Sequence, residues 1–391
     1  MKILHVTPFV VPDPKLGGMP RSVLSLCVAL RDRGHQVTIW AGDDGDSRYR
    51  TTDHGEGSTV SIKLFRSRWR RLGSVLNTPI LPELTFPDPH VLQSFDVVHM
   101  HGYWNTFTPS IALACRKGSV PLVLQPRGSL VSSGQRGVPK RVFQFLFRDQ
   151  VVRSTSIAVA LTENERGDLR KSGFRNSQIQ LIPNFAPSPP TSLPSASAAK
   201  RSFRIPEGAK VVLFLGRLHP AKGGKELLMA YILARQHIPE SVLLFCGPDE
   251  GALQELKRIT AASGLEETIR FLGPLDEDRK WLALRAADLY CLPSFFEAFP
   301  RVVLEAGIIG TPTILSSLVT LPFAAQEGAV MRSDPEPGAL SRCITAVLSN
   351  EGLRLELSSR IRAWVERHFS APVVIPLVED AYAHAMHVTA S

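Results

Sequence analysis

The chain has few of the features that would take it out of the ordinary globular class. Its five cysteines, Cys27, Cys115, Cys246, Cys291 and Cys343, are odd in number and show no CxxC or metal-ligand spacing. That argues against a disulfide framework or a thiolate metal site and fits a reducing cytoplasm. The longest apolar runs, such as residues 211–215 and 242–246, are strand length, whereas a membrane-spanning helix needs about 20 residues. The opening MKILHVTPFVVP is too short for a signal h-region and meets Pro12, Pro14 and a glycine pair instead of a cleavage site, so it reads as a first β-strand. The dinucleotide fingerprint GxGxxG is missing. So is any RRM, KH or helix-turn-helix pattern, which leaves no module for nucleic acid.

What is present is bulk and charge. A chain of 391 residues with 44% apolar content exceeds what one core usually fills, and two domains follow. The net charge of +9 is uneven: through Ala186 there are 24 Lys+Arg against 14 Asp+Glu, and beyond it 21 against 22. The basic part suits an anionic partner, with nucleic acid, a membrane surface and phosphorylated substrates as the classes to weigh.

Strand-like apolar runs alternate with amphipathic helices. Residues 3–6 form a strand, Val23, Leu26, Cys27 and Leu30 repeat at helical spacing, Gly34 stops that helix, and residues 37–40 form a second strand. Further strands at 97–100, 122–125, 157–161 and 179–182 complete a parallel sheet covered on both faces. Residues 184–200, NFAPSPPTSLPSASAAK, read as a linker. The alternation then restarts with strands at 211–215, 242–246, 269–272 and 289–292. The expected fold is α/β: two Rossmann-like doubly wound domains, 1–186 and 203–370, facing across a cleft, joined by a linker at 187–202. Two helices close the chain, at 351–368 and 373–386, with a break at Pro372.

Three elements carry chemistry. Gly17-Gly18 follows the first strand and precedes a helix, where bare backbone lets N–H groups approach a phosphate; taken alone it is also an ordinary turn. G-R-L-H-P-A-K-G at 216–223 follows the strand that opens the second domain. Its Arg217 and Lys222 can neutralise a diphosphate as a metal ion does elsewhere, or be two solvated surface charges. E-A-F-P-R-V-V-L-E at 297–305 puts Glu297 in a loop, Pro300 at a helix start and Glu305 more than a turn inside the helix. One carboxylate can then reach sugar hydroxyls and the other ribose hydroxyls, with a diphosphate near the helix N-terminus.

With these motifs, D-V-V-H-M-H-G at 96–102, I-P-N at 182–184 and F-L-G-P-L at 271–275, nearly the whole chain resembles family 4 of the retaining glycosyltransferases, which have the GT-B fold. The resemblance implies that Arg217 and Lys222 bind the donor diphosphate. It likewise implies that Glu297 contacts the donor sugar, Glu305 the ribose, and backbone at Pro274 and Leu275 the base. Phe299, Pro300 and Arg301 would lie near the sugar or phosphate, and Gly17 and Gly18 on the donor side. It further implies that residues 371–391 form a helix crossing back to the first domain. The implied reaction retains anomeric configuration by a front-face displacement in which the leaving diphosphate helps take the acceptor proton. No DxD motif is positioned for a donor-linked metal, so no metal and no cofactor are expected. Glu297 is not read as a nucleophile, because a paired-carboxylate mechanism needs two acids flanking one bond.

One departure bears on the acceptor. Where many members carry P-H-G, this chain reads Q-P-R-G-S-L with Arg127 in place of the histidine, a donor-only group suited to phosphate or carboxylate. His99 and His101 are strand-end candidates, for packing or as a substitute. Arginines beside aromatics in R-S-R-W-R-R at 66–71 and K-R-V-F-Q-F-L-F-R at 140–148 read either as solvated charge over core or as contact with an anionic membrane. The expected partners are a nucleotide-sugar donor and a glycan or lipid-linked acceptor, in bacterial envelope or extracellular polysaccharide synthesis at the inner face of the membrane. A sugar-nucleotide epimerase, a phosphorylase or a catalytically silent binder shares the architecture, which alone does not decide among them.

Overall fold

The computed structural model of the chain describes residues 1–10, 18–43, 60–68, 78–85, 87–130 and 137–390. They divide into two compact units: Met1–Asn184 with Ala371–Ser391, and Phe185–Ser370. Each is a parallel-sheet Rossmann-like domain, and together they give the chain the GT-B fold.

In the first unit the strands are β1 (Lys2–Thr7), β2 (Gln36–Asp43), β3 (Ser61–Arg66), β4 (Val97–His101), β5 (Leu122–Gln125), β6 (Ile157–Ala160) and β7 (Ile179–Leu181). They are ordered β3-β2-β1-β4-β5-β6-β7, and the pairings between these strands are parallel. Every residue of β4, β5 and β6 is buried, as strands covered on both faces must be. The order reverses between β1 and β4, and open α/β sheets bind ligands beyond the carboxyl ends of the strands at such a switch.

The second unit repeats the plan with β8 (Lys210–Leu215), β9 (Ser241–Cys246), β10 (Ile269–Gly273), β11 (Leu289–Leu292), β12 (Thr313–Ser316) and β13 (Met331–Ser333) in the order β10-β9-β8-β11-β12-β13. Its switch lies between β8 and β11. The loops leaving these two strands are the Arg217–Lys222 and Glu297 loops.

Two expectations need correction. The proposed linker contains a helix, Ala196–Ser202, which starts at Ser195, whose hydroxyl accepts from the Ala198 amide at 3.2 Å. The prolines and serines before it mark a cap as well as a loop. Ala199 is fully buried and Lys200 pairs with Asp288 at 2.7 Å, so the segment is part of the second unit. The break near Pro372 falls at Ser370 instead, where the backbone is extended between the helices Glu351–Phe369 and Ala371–Ala390. Pro372 sits in the first turn, where a missing N–H leaves no bond unmade, and Pro376 lies inside the helix. That last helix packs in the first unit, with Glu379 bound by Arg33 at 2.7 Å and His35 at 2.8 Å and with Tyr382 fully buried.

Candidate functional site

In the second unit two loops meet by their backbones. After β8 the chain makes a short turn, Pro220–Lys222, opened by His219, whose ring Nδ1 accepts from the Ala221 amide at 3.1 Å. Gly223 follows at φ +70°, and a Cβ there would sit 2.2 Å from the carbonyl oxygen of Pro293. Only glycine permits this approach, and the left-handed conformation favours it as well. The Phe295 amide donates to the Ala221 carbonyl at 3.0 Å, which ties the loop after β11 to the same turn.

Their closeness brings Lys222 Nζ to 2.7 Å from Glu297 Oε1, although the residues are 75 positions apart. The Ser294 hydroxyl donates to the same oxygen at 2.9 Å. Both charged side chains are largely buried, 17% and 13% exposed, so the pair is mostly shielded from water. Arg217 is not joined to this pair; its guanidinium bonds Glu250 at 2.6 Å and remains half exposed.

Glu305 lies in the helix Arg301–Ile309, opened by Pro300 and closed by Gly310 at φ +75°. It is buried and ion-paired, to Lys280 at 2.9 Å and to Arg301, one turn earlier, at 3.4 Å. Phe299 is nearly buried and contacts Phe369, so it acts as a packing anchor for the loop. Pro274 is exposed and Leu275 buried just after β10, where Gly273 turns the chain at φ +69°. In the first unit Gly18 caps the helix Met19–Asp32, with open space where a side chain would be. Gly17 lies outside the described residues, as do residues 69–71 of the RSRWRR run.

At the switch of the first sheet lies a cluster that the sequence reading resolved only in part. His5 and His99 are paired across β1 and β4, and with His101 they form a buried stack with ring centroids 4.2 to 5.2 Å apart. Arg127 follows β5 at φ +56°, a left-handed conformation that costs about 1–2 kcal/mol for a residue with a Cβ. The turn carries its guanidinium back over the strand ends, where Nε donates to His101 Nδ1 at 3.1 Å and Nη1 to Asn184 Oδ1 at 2.8 Å.

A guanidinium can only donate, so His101 Nδ1 is the acceptor and the ring proton is on Nε2. That nitrogen faces His5 Nδ1 at 2.9 Å, which sets the His5 tautomer in turn. His99 Nδ1 meets the Tyr382 hydroxyl at 2.8 Å. Burial first, then the charge of Arg127, pushes His5 down to about 3. His99 and His101 fall well below the ordinary histidine range by burial first, with their neighbours' charge next. Burial pushes the Glu165 carboxyl up, opposed by hydrogen bonds from the Gly128 and Leu161 amides and by Arg127.

One ring nitrogen from each histidine lies within 4.8 Å of the others, a spacing that a metal ion can bridge. The hydrogen-bond polarity argues against it. A cation would displace the His101 proton that faces His5 and add buried positive charge beside Arg127. The cluster is a neutral imidazole stack aimed at one arginine.

Several members of these sites escaped the reading of the sequence. Lys280, Glu250, His5 and Tyr382 lie far along the chain from the motifs they serve, whereas Ser294 stands only three residues before Glu297. For His5, the only available signal was its even spacing on a first strand adjacent to the strand carrying His99 and His101.

Residues 17–184 match the family described as glycosyl transferase 4-like domain, and residues 196–364 that described as glycosyl transferases group 1. The chain is 29% identical to the phosphatidyl-myo-inositol mannosyltransferase of Mycobacterium tuberculosis over 94% of its own length and 93% of the relative's. It is 28% identical to the D-inositol 3-phosphate glycosyltransferase of Salinispora arenicola over 68% of its length. That match spans 64% of the relative, so the chain covers less than two thirds of it. Among solved structures, the Anabaena protein HepE in complex with UDP and glucose superposes with a TM-score of 0.74 at 20% identity, over 98% of this chain and 99% of that one. Sucrose-phosphate synthase from Thermosynechococcus elongatus gives 0.77 at 17% identity, covering 100% of both.

Proposed function

The chain belongs to the group 1 glycosyltransferases, and from that membership we propose that it moves a sugar, without a metal and with retention, from a nucleotide-diphosphate sugar to a glycan or lipid-linked acceptor in bacterial envelope or extracellular polysaccharide synthesis. The observation that carries this reading is the Lys222–Glu297 pair, 2.7 Å apart and held by the backbone contact at Gly223. Lys222 and Arg217 bind the diphosphate, Glu297 the donor sugar and Glu305 the ribose. Backbone at Pro274 and Leu275 takes the base, while Gly17, Gly18, Phe299, Pro300 and Arg301 surround the donor. As the bond from the anomeric carbon to the diphosphate oxygen breaks, charge grows on that oxygen and the Lys222 ammonium stabilises it. The acceptor oxygen bonds the same face, and its proton passes to the departing diphosphate.

On the acceptor side, His101 aims Arg127 at an anionic group, phosphate or carboxylate. Arg127 at the position of the family histidine also favours a second reading, a sugar-nucleotide binder without turnover, and an assay that finds release of nucleoside diphosphate by the wild type would exclude it. A peripheral contact with anionic membrane at the cytoplasmic face is part of the proposal. On the helix Gly137–Ser154, Val142, Phe145 and Leu146 are 51%, 89% and 58% exposed, with exposed Arg141 and Arg148 alongside. Among the described residues no helix is long and apolar enough to cross a membrane. Co-sedimentation with phosphatidylglycerol vesicles, lost in Phe145→Glu, tests that contact; equal binding by the variant refutes it.

The transfer reading is tested by Lys222→Ala and Glu297→Ala. Each is expected to lower turnover by about 100-fold to 1000-fold while the protein stays folded. Near-wild-type turnover in both overturns the assignment.

A further inference from the structure

Glu305 is an unusual carboxylate to present to a ligand, because its side chain is 4% exposed. A lone buried carboxylate is strongly disfavoured and persists in ionised form only where cations and hydrogen bonds replace its water. Here the replacement comes from Lys280, in the helix Glu277–Ala286. Its side chain is 6% exposed, and its Nζ lies 2.9 Å from Glu305 Oε1 and 2.6 Å from Glu277 Oε1. Arg301 Nε approaches the same Glu305 oxygen at 3.4 Å. Two cations and two carboxylates thus balance. Both contacts address Oε1, and pinning one carboxylate oxygen fixes the direction of the other. Glu277 is half exposed and also accepts from the Trp281 indole at 3.0 Å, so the lysine is anchored from its outer side.

We propose that Lys280 is a positioning residue for donor recognition: it holds Glu305 ionised and fixed so that the carboxylate can accept hydrogen bonds from the ribose hydroxyls of a nucleoside diphosphate. This rests on the reading of Glu305 as the ribose contact. Lysine at this place does two things that a neutral residue cannot. It supplies the charge that keeps a buried acceptor an acceptor, and it links the helix Glu277–Ala286 to the helix Arg301–Ile309. A purely structural bridge would serve only the second, so the two roles separate in the choice of ligand.

The experiment is calorimetric titration of the whole chain with UDP, GDP and ADP, each against its 2′,3′-dideoxy form. For the nucleotide that binds, the wild type is expected to prefer the ribose form by about tenfold or more, the scale of hydrogen bonds to a charged group. Lys280→Met should lose most of that preference by weakening the ribose form while leaving the dideoxy form unchanged, and Lys280→Arg should retain it. Because removing one partner of a buried pair can unfold a protein, Lys280→Gln, which keeps a donor but not the charge, is measured alongside and should show a reduced preference. A wild type indifferent to the hydroxyls refutes the Glu305 reading itself. A wild type that discriminates, with Lys280→Met or Lys280→Gln discriminating equally well, leaves that reading standing and overturns the role of Lys280.

Discussion

The two units share a sheet plan and solve opposite electrostatic problems at their switch points. In the second unit, buried ionisable groups stay charged by pairing, Lys222 with Glu297 and Lys280 with Glu305. In the first, three buried histidines stay neutral because burial makes protonation unfavourable, and the cation they face is Arg127. The Lys222–Glu297 pair is poised to exchange an internal partner for a charged ligand, while the Lys280–Glu305 pair stays fixed. A neutral stack exchanges nothing and is suited to holding one group in place.

Gly223 and Gly18 offer the strongest way to break that contrast. Gly223→Ala puts a methyl 2.2 Å from the Pro293 oxygen at φ +70°, so the two loops must part and Lys222 must leave Glu297. Turnover should fall by about 100-fold, and the Tm by about 5 °C or more, as a strain of a few kcal/mol implies. Gly18→Ala meets nothing within 4 Å at an ordinary φ of −83°, so its Tm should match the wild type. Thermal scans beside a turnover assay check both, and equal Tm values for the two variants would contradict the steric account.

The next effect sharpens the acceptor side. Arg127→His removes the donor that His101 and Asn184 orient, and acceptor KM should rise about tenfold while donor KM stays within twofold. An unchanged acceptor KM in steady-state kinetics removes Arg127 from acceptor binding. The smallest effect concerns the neutral stack. Below the unfolded-state value near 6.5 the unfolded chain protonates His5 while the folded one, at about 3, does not, so stability falls as the pH drops. Over pH 7 to 5 this one group contributes about 2 kcal/mol of loss, and His5→Asn should lose that much less in urea unfolding. The raised Glu165 acts in the opposite direction but is common to both proteins; His99 and His101 are held low in part by His5, so the difference reports His5 together with its effect on its two neighbours. Parallel pH dependences for the two proteins would mean that His5 is not held neutral.

The second-unit motifs were legible because each is local: a loop after a strand, a glycine at its turn, a carboxylate before a helix. Their meeting was not, since it depends on β8 and β11 lying side by side and on a backbone approach at Gly223. Lys280 gave no signal because a lysine in an amphipathic helix looks solvated until Glu305 is placed against it. His5 carried only a faint signal for a related reason, as the β1–β4 pairing is what sets it beside His99. The helix Ala196–Ser202 was hidden by the prolines before it, which outweighed the Ser195 cap in the reading. The arrangement of the strands and most of their positions were readable because alternation of apolar runs and amphipathic segments is a property of each segment alone.

The most direct test of transfer from a nucleotide sugar is a screen of the purified chain against UDP-, GDP- and ADP-sugars with EDTA present throughout, reading both binding and slow release of nucleoside diphosphate. Selective binding of one sugar nucleotide, with release of its diphosphate, is the predicted result. Failure to bind any of them, or release that requires added metal, would contradict the assignment of the diphosphate to Arg217 and Lys222.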